Sequence, residues 1–358
     1  YKRQIHDTAE DEIQMSEKAK AWIKANPDAK QPWDTEGYQI PGGLPDDAEN
    51  QGFIFFGPAA TMGQTKNLMP AQNAIYSCIV DSARVDFDTA QKIEGRYMLS
   101  LLLDQTARNM MTAFFLQMEA LNRGANRPDS YERTQFTKIG ILGAGQMGAG
   151  IATMAAQKGI EVVIKDINQD NADKGKDYAA SVYAKNKRVD EAQAEKFLVG
   201  ITATDNYADL ADCELVIEAV FEDRGVKAEV TKDTEAVLAN GAVFASNTSA
   251  LPITELAQAS TRAENFIGMH FFSPAEKMPL VEIICGDKTT DSTLAKAFDL
   301  AQQLGKTPIV VNDGPGFFTS RTIATTISQG AEMVTEGINP VLIAVSYTHL
   351  TLPTNREV

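Results

Sequence analysis

Apolar residues in the first third of the chain recur at three- and four-residue intervals, the period of a helix with one buried face. Ile75, Cys78 and Ile79 mark it between Ala71 and Arg84, and Leu99, Leu102 and Leu103 mark it between Phe87 and Leu103. A third stretch of this kind runs from Asp104 to Asn122. Few β-branched runs interrupt them, so the spacing predicts three helices. Ahead of them, Thr8 to Ala25 reads as a polar helix, and Gln31-Pro32-Trp33-Asp34 and Ile40-Pro41-Gly42-Gly43 as turns and loops. Asn122 to Tyr131 contains Gly124, Pro128, Asp129 and Ser130 and shows neither helix nor strand period, which opens a linker over residues 123–136.

Beyond the linker the texture changes. Short runs rich in Val and Ile, at Lys138 to Leu142, Glu161 to Lys165, Leu215 to Val220, Ala242 to Ser246, Phe266 to Phe272, Leu280 to Cys285 and Pro308 to Val311, read as strands, with helical patterns between most of them. That alternation predicts an α/β domain over 137–313, a Rossmann-like doubly wound and mainly parallel sheet. Past Pro315-Gly316 a new helix runs towards Gly337 and opens an all-α domain, of which residues 314–344 would be the start.

A chain of 358 residues with 44% hydrophobic and 23% charged residues has room for about two domains of ordinary globular type. The formal net charge of -15 argues against a nucleic-acid surface, so a nucleotide or coenzyme A ligand would need local basic residues. The lysines between Asp170 and Lys196 are weak candidates for such a phosphate contact, in a stretch that reads by itself as a solvated helical excursion. Cys78, Cys213 and Cys285 lie far apart with no CxxC, which points to a reducing cytosol and away from a metal site. No run of about 18 apolar residues and no leader pattern is present, so a cytoplasmic protein without a membrane span is expected. The end strings Tyr1-Lys2-Arg3-Gln4 and Val345-Ser346-Tyr347 read as the two strands of one inverted adapter repeat, which makes 345–358 a non-native tail and the remainder an internal piece of a longer protein.

Two constellations carry chemistry. The strand Lys138 to Leu142 runs into Gly143-Ala144-Gly145-Gln146-Met147-Gly148 and then a helix, which is GxGxxG in its strand-turn-helix setting. A side chain at Gly145 would keep a pyrophosphate off the backbone, and Gly148 lets the helix approach the strand. Asp166, about twenty residues on at the end of the second strand, suits a ribose 2′-hydroxyl and repels a 2′-phosphate, so NAD is expected over NADP, with Lys165 weakening the preference slightly.

The second constellation centres on His270. Of the three histidines, His6 and His349 sit in or beside the doubtful ends, so histidine chemistry falls to His270. Imidazole is suited to take a hydroxyl proton at neutral pH, and Glu282, set among Leu280, Val281, Ile283 and Ile284, is expensive to bury without a partner. A satisfied core histidine remains the alternative. Ser246-Asn247-Thr248-Ser249 follows a strand at the carboxyl edge, where it could hold a substrate oxygen or cap the next helix. Glu222 and Lys227 are open between cofactor contact and a charge pair on a solvated helix.

The glycine turn, Glu218-Ala219-Val220-Phe221-Glu222, Ser246-Asn247-Thr248-Ser249, His270-Phe271-Phe272-Ser273-Pro274 and Pro315-Gly316-Phe317-Phe318 together resemble the 3-hydroxyacyl-CoA dehydrogenases in order and spacing. Residues 5–122, through Lys66-Asn67-Leu68-Met69-Pro70-Ala71, Phe87-Asp88 and Arg96-Tyr97, are similar to the C-terminal helices of the crotonase-like hydratase/isomerase module in the bifunctional α subunit of bacterial fatty acid oxidation complexes. The resemblance implies NAD-dependent oxidation of 3-hydroxyacyl-CoA to 3-oxoacyl-CoA, with a thiolase β subunit as partner. It implies that Gly143, Gly145, Met147, Gly148, Asp166, Val220, Glu222 and Lys227 contact NAD, that Ser249 touches both cofactor and substrate, and that His270 is the base with Glu282 beside it. Ser273 and Ser320 stand where many members have asparagines that contact nicotinamide and substrate, and the shorter serine puts both contacts in question.

The same resemblance implies losses. The hydratase glutamates and oxyanion hole would lie upstream of Tyr1, and most of the helical dehydrogenase domain beyond Ala344, so NAD binding with impaired turnover and no hydratase activity is expected. The rival readings are another β-hydroxy acid dehydrogenase with lysine as base, and a non-catalytic NAD-binding scaffold on the same fold.

Overall fold

The computed structural model describes residues 7–350; Tyr1 to His6 and Thr351 to Val358, which hold parts of both doubtful ends, lie outside the described residues. The chain divides into two compact units at Met111/Thr112, ahead of the expected linker. The first contains helices α1 (Glu12–Ala25), α2 (Gln51–Thr65), α3 (Pro70–Ser82), α4 (Phe87–Leu103) and α5 (Gln105–Met111). Helix α2 has no counterpart among the expected elements because Gly52, Gly57, Pro58 and Gly63 all oppose helix. Pro58 cannot donate to the carbonyl of Ile54, and the Tyr76 hydroxyl of α3 donates there (3.3 Å) and to the carbonyl of Phe53 (2.9 Å). The apolar stripes of α3 and α4 run as their spacing predicts, yet Ile75, Ile79, Leu99 and Leu102 remain about half exposed.

The second unit begins with α6 (Gln117–Asn122) and then carries β1 (Lys138–Leu142), α7 (Gln146–Gln157), β2 (Glu161–Lys165), α8 (Gln169–Lys185), α9 (Glu191–Val199) and β3 (Ile201–Thr204). It continues with β4 (Leu215–Glu218), α10 (Arg224–Glu235), β5 (Val243–Ser246), α11 (Ile253–Leu256), β6 (Phe266–Phe271), β7 (Leu280–Ile284), α12 (Asp291–Gln303), β8 (Thr307–Val311), α13 (Thr319–Thr335) and α14 (Pro340–Leu350). Helix α14 runs through residues 345–350 of the expected tail. The eight strands form one sheet in the order β3-β2-β1-β4-β5-β6-β7-β8. All neighbours are parallel except β6 and β7. Strand order reverses between β1 and β4, so the crevice at their carboxyl ends is where such a sheet receives a ligand.

Strands β1, β2 and β4 to β7 bury nearly every residue because helices cover both faces, while the edge strands β3 and β8 stay partly open. One layer of core joins Ile139, Ile141, Ile151, Met269 and Phe298, and the other joins Val163, Val216, Phe244, Phe266 and Ile284. Strand β3 was not among the expected elements: four residues with alternating burial leave little signal. The stretch expected to be a solvated excursion is instead packed along one face, where α8 buries Ala172, Gly175, Ala179 and Tyr183. Nor is the expected linker a free tether. Arg127 forms two hydrogen bonds to Asp299 on α12 (2.7 and 2.8 Å) and donates to the carbonyls of Pro128, Tyr131 and Glu132. Among the described residues no helix is long and apolar enough to cross a membrane.

Candidate active site

The turn after β1 is built by backbone constraint. Gly143 has φ of +91°, a conformation that L side chains avoid, and a Cβ on Gly148 would lie 1.9 Å from the Gly143 carbonyl oxygen. Gly145, by contrast, has open space where its Cβ would be, at the first turn of α7. That is a cradle with a bare backbone and a helix N-terminus, the arrangement that receives a pyrophosphate. Asp166 stands at the end of β2, and its carboxylate accepts from the amides of Ala144 (2.6 Å) and Ile167 (2.7 Å). One face of the turn is therefore tied to the acid that faces the ribose position in this fold. Lys165, next to that acid in sequence, is nearly buried, and its ammonium lies 3.7 Å from the centre of the Tyr207 ring. The residues present thus fit a dinucleotide with a free 2′-hydroxyl.

Across the switch point, the end of β4 carries a buried charge cluster. Glu218 accepts from Lys227 with both oxygens (2.8 and 3.0 Å), from the Val220 amide (2.9 Å) and from the Ser246 hydroxyl (2.7 Å). Lys227 also pairs with Glu222 (3.0 Å). Glu222 accepts from the Thr248 hydroxyl and from the Ser249 amide (3.2 Å). Burial alone pushes the Glu222 carboxyl up, but the Thr248 hydroxyl, the Lys227 ammonium and the Ser249 amide together hold it below the ordinary carboxylate value. Lys227 is not on a solvated face: it is 2% exposed, with its ammonium closed in by two carboxylates. Glu218 entered the sequence reading only as the first residue of the Glu218-Ala219-Val220-Phe221-Glu222 run and was given no role of its own.

His270 and Glu282 are opposed residues of the β6/β7 pair, and Nδ1 of His270 lies 2.7 Å from a Glu282 oxygen. Glu282 is fully buried. Its carboxylate also accepts from the amides of Phe318 (3.1 Å) and Thr319 (2.9 Å) and from the Thr319 hydroxyl (2.8 Å), at the start of α13. Burial pushes this carboxyl up, and the hydrogen bonds from His270 and Thr319 more than offset it, leaving it below the ordinary value. An ionised carboxylate only accepts. With every other partner of Glu282 a donor, the Nδ1 of His270 must donate, and in the neutral ring Nε2 keeps its lone pair. The contribution of Phe318 and Thr319 escaped the sequence reading because backbone amides are the same in every sequence.

The remaining site residues gather around this pair. The Asn247 side chain accepts from the Phe271 amide (2.8 Å), which staples the loop after β5 to the end of β6 beside His270. The Thr248 hydroxyl accepts from the amides of Ala250 and Leu251, ahead of α11, whose first two amides, Ile253 and Thr254, donate to the Asp313 carboxylate, so Ser246 to Ser249 does not cap that helix. The Ser249 side chain is exposed. The Ser320 hydroxyl donates to the Ser249 carbonyl (3.3 Å), so the position where asparagine is common is occupied by a tie between α13 and the Ser249 loop. Met147 and Val220 line the two sides of the switch point and are half-buried, and Ser273 is exposed in the β6–β7 connection.

Residues 138–314, which contain all eight strands, match the family "3-hydroxyacyl-CoA dehydrogenase, NAD binding domain". The fatty acid oxidation complex subunit alpha of Shewanella loihica is 34% identical over 278 residues, 76% of this chain and 39% of that protein. The corresponding subunit of Shewanella sp. (strain ANA-3) is 35% identical over 81% of this chain and 42% of its own length, so the chain spans about two fifths of these curated relatives. Among solved structures, the (S)-3-hydroxybutyryl-CoA dehydrogenase PaaH1 of Ralstonia eutropha is 38% identical, covers 57% of this chain and 74% of its own, and superposes with a TM-score of 0.56. FadB2 of M. tuberculosis is 30% identical over 62% of this chain and 81% of its own, with a TM-score of 0.57. The glycine turn, its acid and the paired His270 and Glu282 all fall within the matched residues, and this chain belongs to the 3-hydroxyacyl-CoA dehydrogenase family.

Proposed function

We propose that this chain provides the cofactor side and the acid-base pair of an NAD-dependent 3-hydroxyacyl-CoA dehydrogenase acting in fatty acid oxidation. The observation that carries the reading is the 2.7 Å contact between Nδ1 of His270 and the buried Glu282 carboxylate. Glu282 is surrounded by donors, so Nδ1 donates to it and Nε2 is left free on the other side of the ring.

Gly143, Gly145, Met147 and Gly148 would hold the pyrophosphate, Asp166 the ribose hydroxyl, and Val220 and Glu222 the far half of the cofactor, with Lys227 acting from beneath Glu222. NAD, when bound, supplies the hydride acceptor. Ser249 orients the 3-hydroxyl, and Ser320 and Ser273 flank the substrate and nicotinamide. Nε2 of His270 takes the hydroxyl proton as the C3 hydrogen leaves with its electron pair, so the C3–O bond becomes a carbonyl. Glu282, already ionised and fixed, stabilises the imidazolium until the proton passes to solvent. The products are 3-oxoacyl-CoA, NADH and a proton.

The curated relatives are named as the alpha subunit of a fatty acid oxidation complex, which supports a partner subunit; on the family resemblance, that partner is read as a thiolase β subunit taking the 3-oxoacyl product, and the location as cytoplasmic. The central test compares His270→Ala with the unchanged protein under single-turnover conditions with 3-hydroxybutyryl-CoA. NAD affinity should stay within about twofold while NADH formation falls by about 10²-fold or more. Equal and measurable rates of NADH formation in the two proteins would reject the assignment.

A further inference from the structure

We propose that Glu218 is a positioning residue for the cofactor: through Lys227 it holds Glu222 at the carboxyl edge of the sheet as an anionic acceptor. The inference rests on the reading of Glu222 as a cofactor contact given above, and extends it to a residue that makes no such contact itself.

Glu218 is 1% exposed and Lys227 2%. Taking an ion pair out of water is costly, and apolar groups of similar volume often fill such a place equally well or better. A buried pair is therefore poorly explained by stability alone. Its connectivity suggests another use. Glu218 is itself fixed by the Val220 amide and the Ser246 hydroxyl, one from the loop after β4 and one from the end of β5. It grips the Lys227 ammonium with both oxygens, and the same ammonium reaches Glu222. The Glu222 side chain is 39% exposed and stands at the carboxyl edge of the sheet.

Charge counting gives the consequence. Two carboxylates share one ammonium, so the group keeps one negative charge. Glu218 is enclosed and Glu222 is not, so that charge is available at Glu222. Without Glu218 the ammonium would pair one-to-one with Glu222, neutralising the acceptor and drawing it inwards. Lys227 is then the strut, Glu218 its anchor and Glu222 the working end.

The test is a double-mutant cycle read as the dissociation constant for NAD, with thermal melting as a control for folding. Glu218→Gln keeps the shape of the side chain and removes its charge. Glu218→Gln and Glu222→Gln should each weaken NAD by about tenfold, and the double variant should be no more than about twofold weaker than either. The proposal is overturned if Glu218→Gln binds NAD within about twofold of the unchanged protein, if Glu222→Gln does so, or if the two losses multiply. Should Glu218→Gln fail to fold, the apolar pair Glu218→Leu with Lys227→Met is placed in the same cycle, with the same outcomes decisive. Absence of NAD binding by the unchanged protein would instead remove the reading on which this one rests.

Discussion

His270 and Glu282 face each other because β7 runs against β6. The register sets them directly opposite, so their side chains leave the same face of the sheet, close enough for an imidazole and a carboxylate to meet at 2.7 Å. In a parallel pair a helical crossover would have to intervene, and two residues separated by twelve positions could not have been neighbours. The single antiparallel step in the sheet is what brings His270 to Glu282.

Replacing Glu282 by Gln should trap the wrong tautomer. The amides of Phe318 and Thr319 require an oxygen opposite them, which turns the new amide nitrogen towards His270. That nitrogen donates, so Nδ1 must accept and the proton moves to Nε2. With Nε2 protonated the ring cannot take a hydroxyl proton, and turnover should fall by about 10²- to 10⁴-fold. NAD affinity, measured by titration, should change little. A variant with normal turnover would show that the Nδ1 donor is not needed.

Acid should reveal the same carboxylate. Glu282 has its folded value held below the ordinary glutamate value of about 4.3. A group depressed in this direction contributes stability that is present above its unfolded value and lost as pH falls through the folded one. The difference in melting temperature between the protein and its Glu282→Gln variant should therefore be largest near neutrality and shrink below about pH 4.3. A difference that is constant with pH would contradict the assignment.

Much of the site was legible because its chemistry is rare in the sequence. His270 is the one histidine away from the doubtful ends, Glu282 interrupts an apolar run, and the glycine turn sits between a strand and a helix. What stayed hidden depends on tertiary contact. Besides His270, the donors to Glu282 are two backbone amides and a threonine hydroxyl some thirty-six positions away. Lys227 stayed open between a cofactor contact and a solvated charge pair because i,i+5 spacing from Glu222 carries no information about Glu218 beneath it. Strand β3 was too short to show a period, and its place is set by pairing with β2.

The connection before β1 should be a stability element. Arg127 is nearly buried, is bound twice to Asp299 and holds three carbonyls, and the Asp299 carboxylate also accepts from the Thr134 amide. Arg127→Ala would leave Asp299 buried without its counter-charge, a change of about 3–5 kcal/mol in unfolding free energy. Denaturant melts would check this. A loss below about 1 kcal/mol would mean that water reaches Asp299 and replaces the guanidinium.

The two glycines at the turn should separate folding from cofactor binding. A methyl group at Gly148 would lie 1.9 Å from the Gly143 carbonyl oxygen, a severe overlap with a backbone atom that cannot swing aside. Gly148→Ala must therefore push α7 away from β1, with a loss of about 1–3 kcal/mol in stability and a much weaker affinity for NAD. At Gly145 the added methyl meets no protein atom within 4 Å, and φ of -65° is ordinary for alanine. Gly145→Ala should melt within a degree or two of the unchanged protein. Its methyl would occupy the ground over which the pyrophosphate must approach the amides, so NAD binding should fall by at least about tenfold. Calorimetry on the two variants distinguishes the cases: equal NAD affinity in Gly145→Ala would mean that the phosphates do not cross this turn.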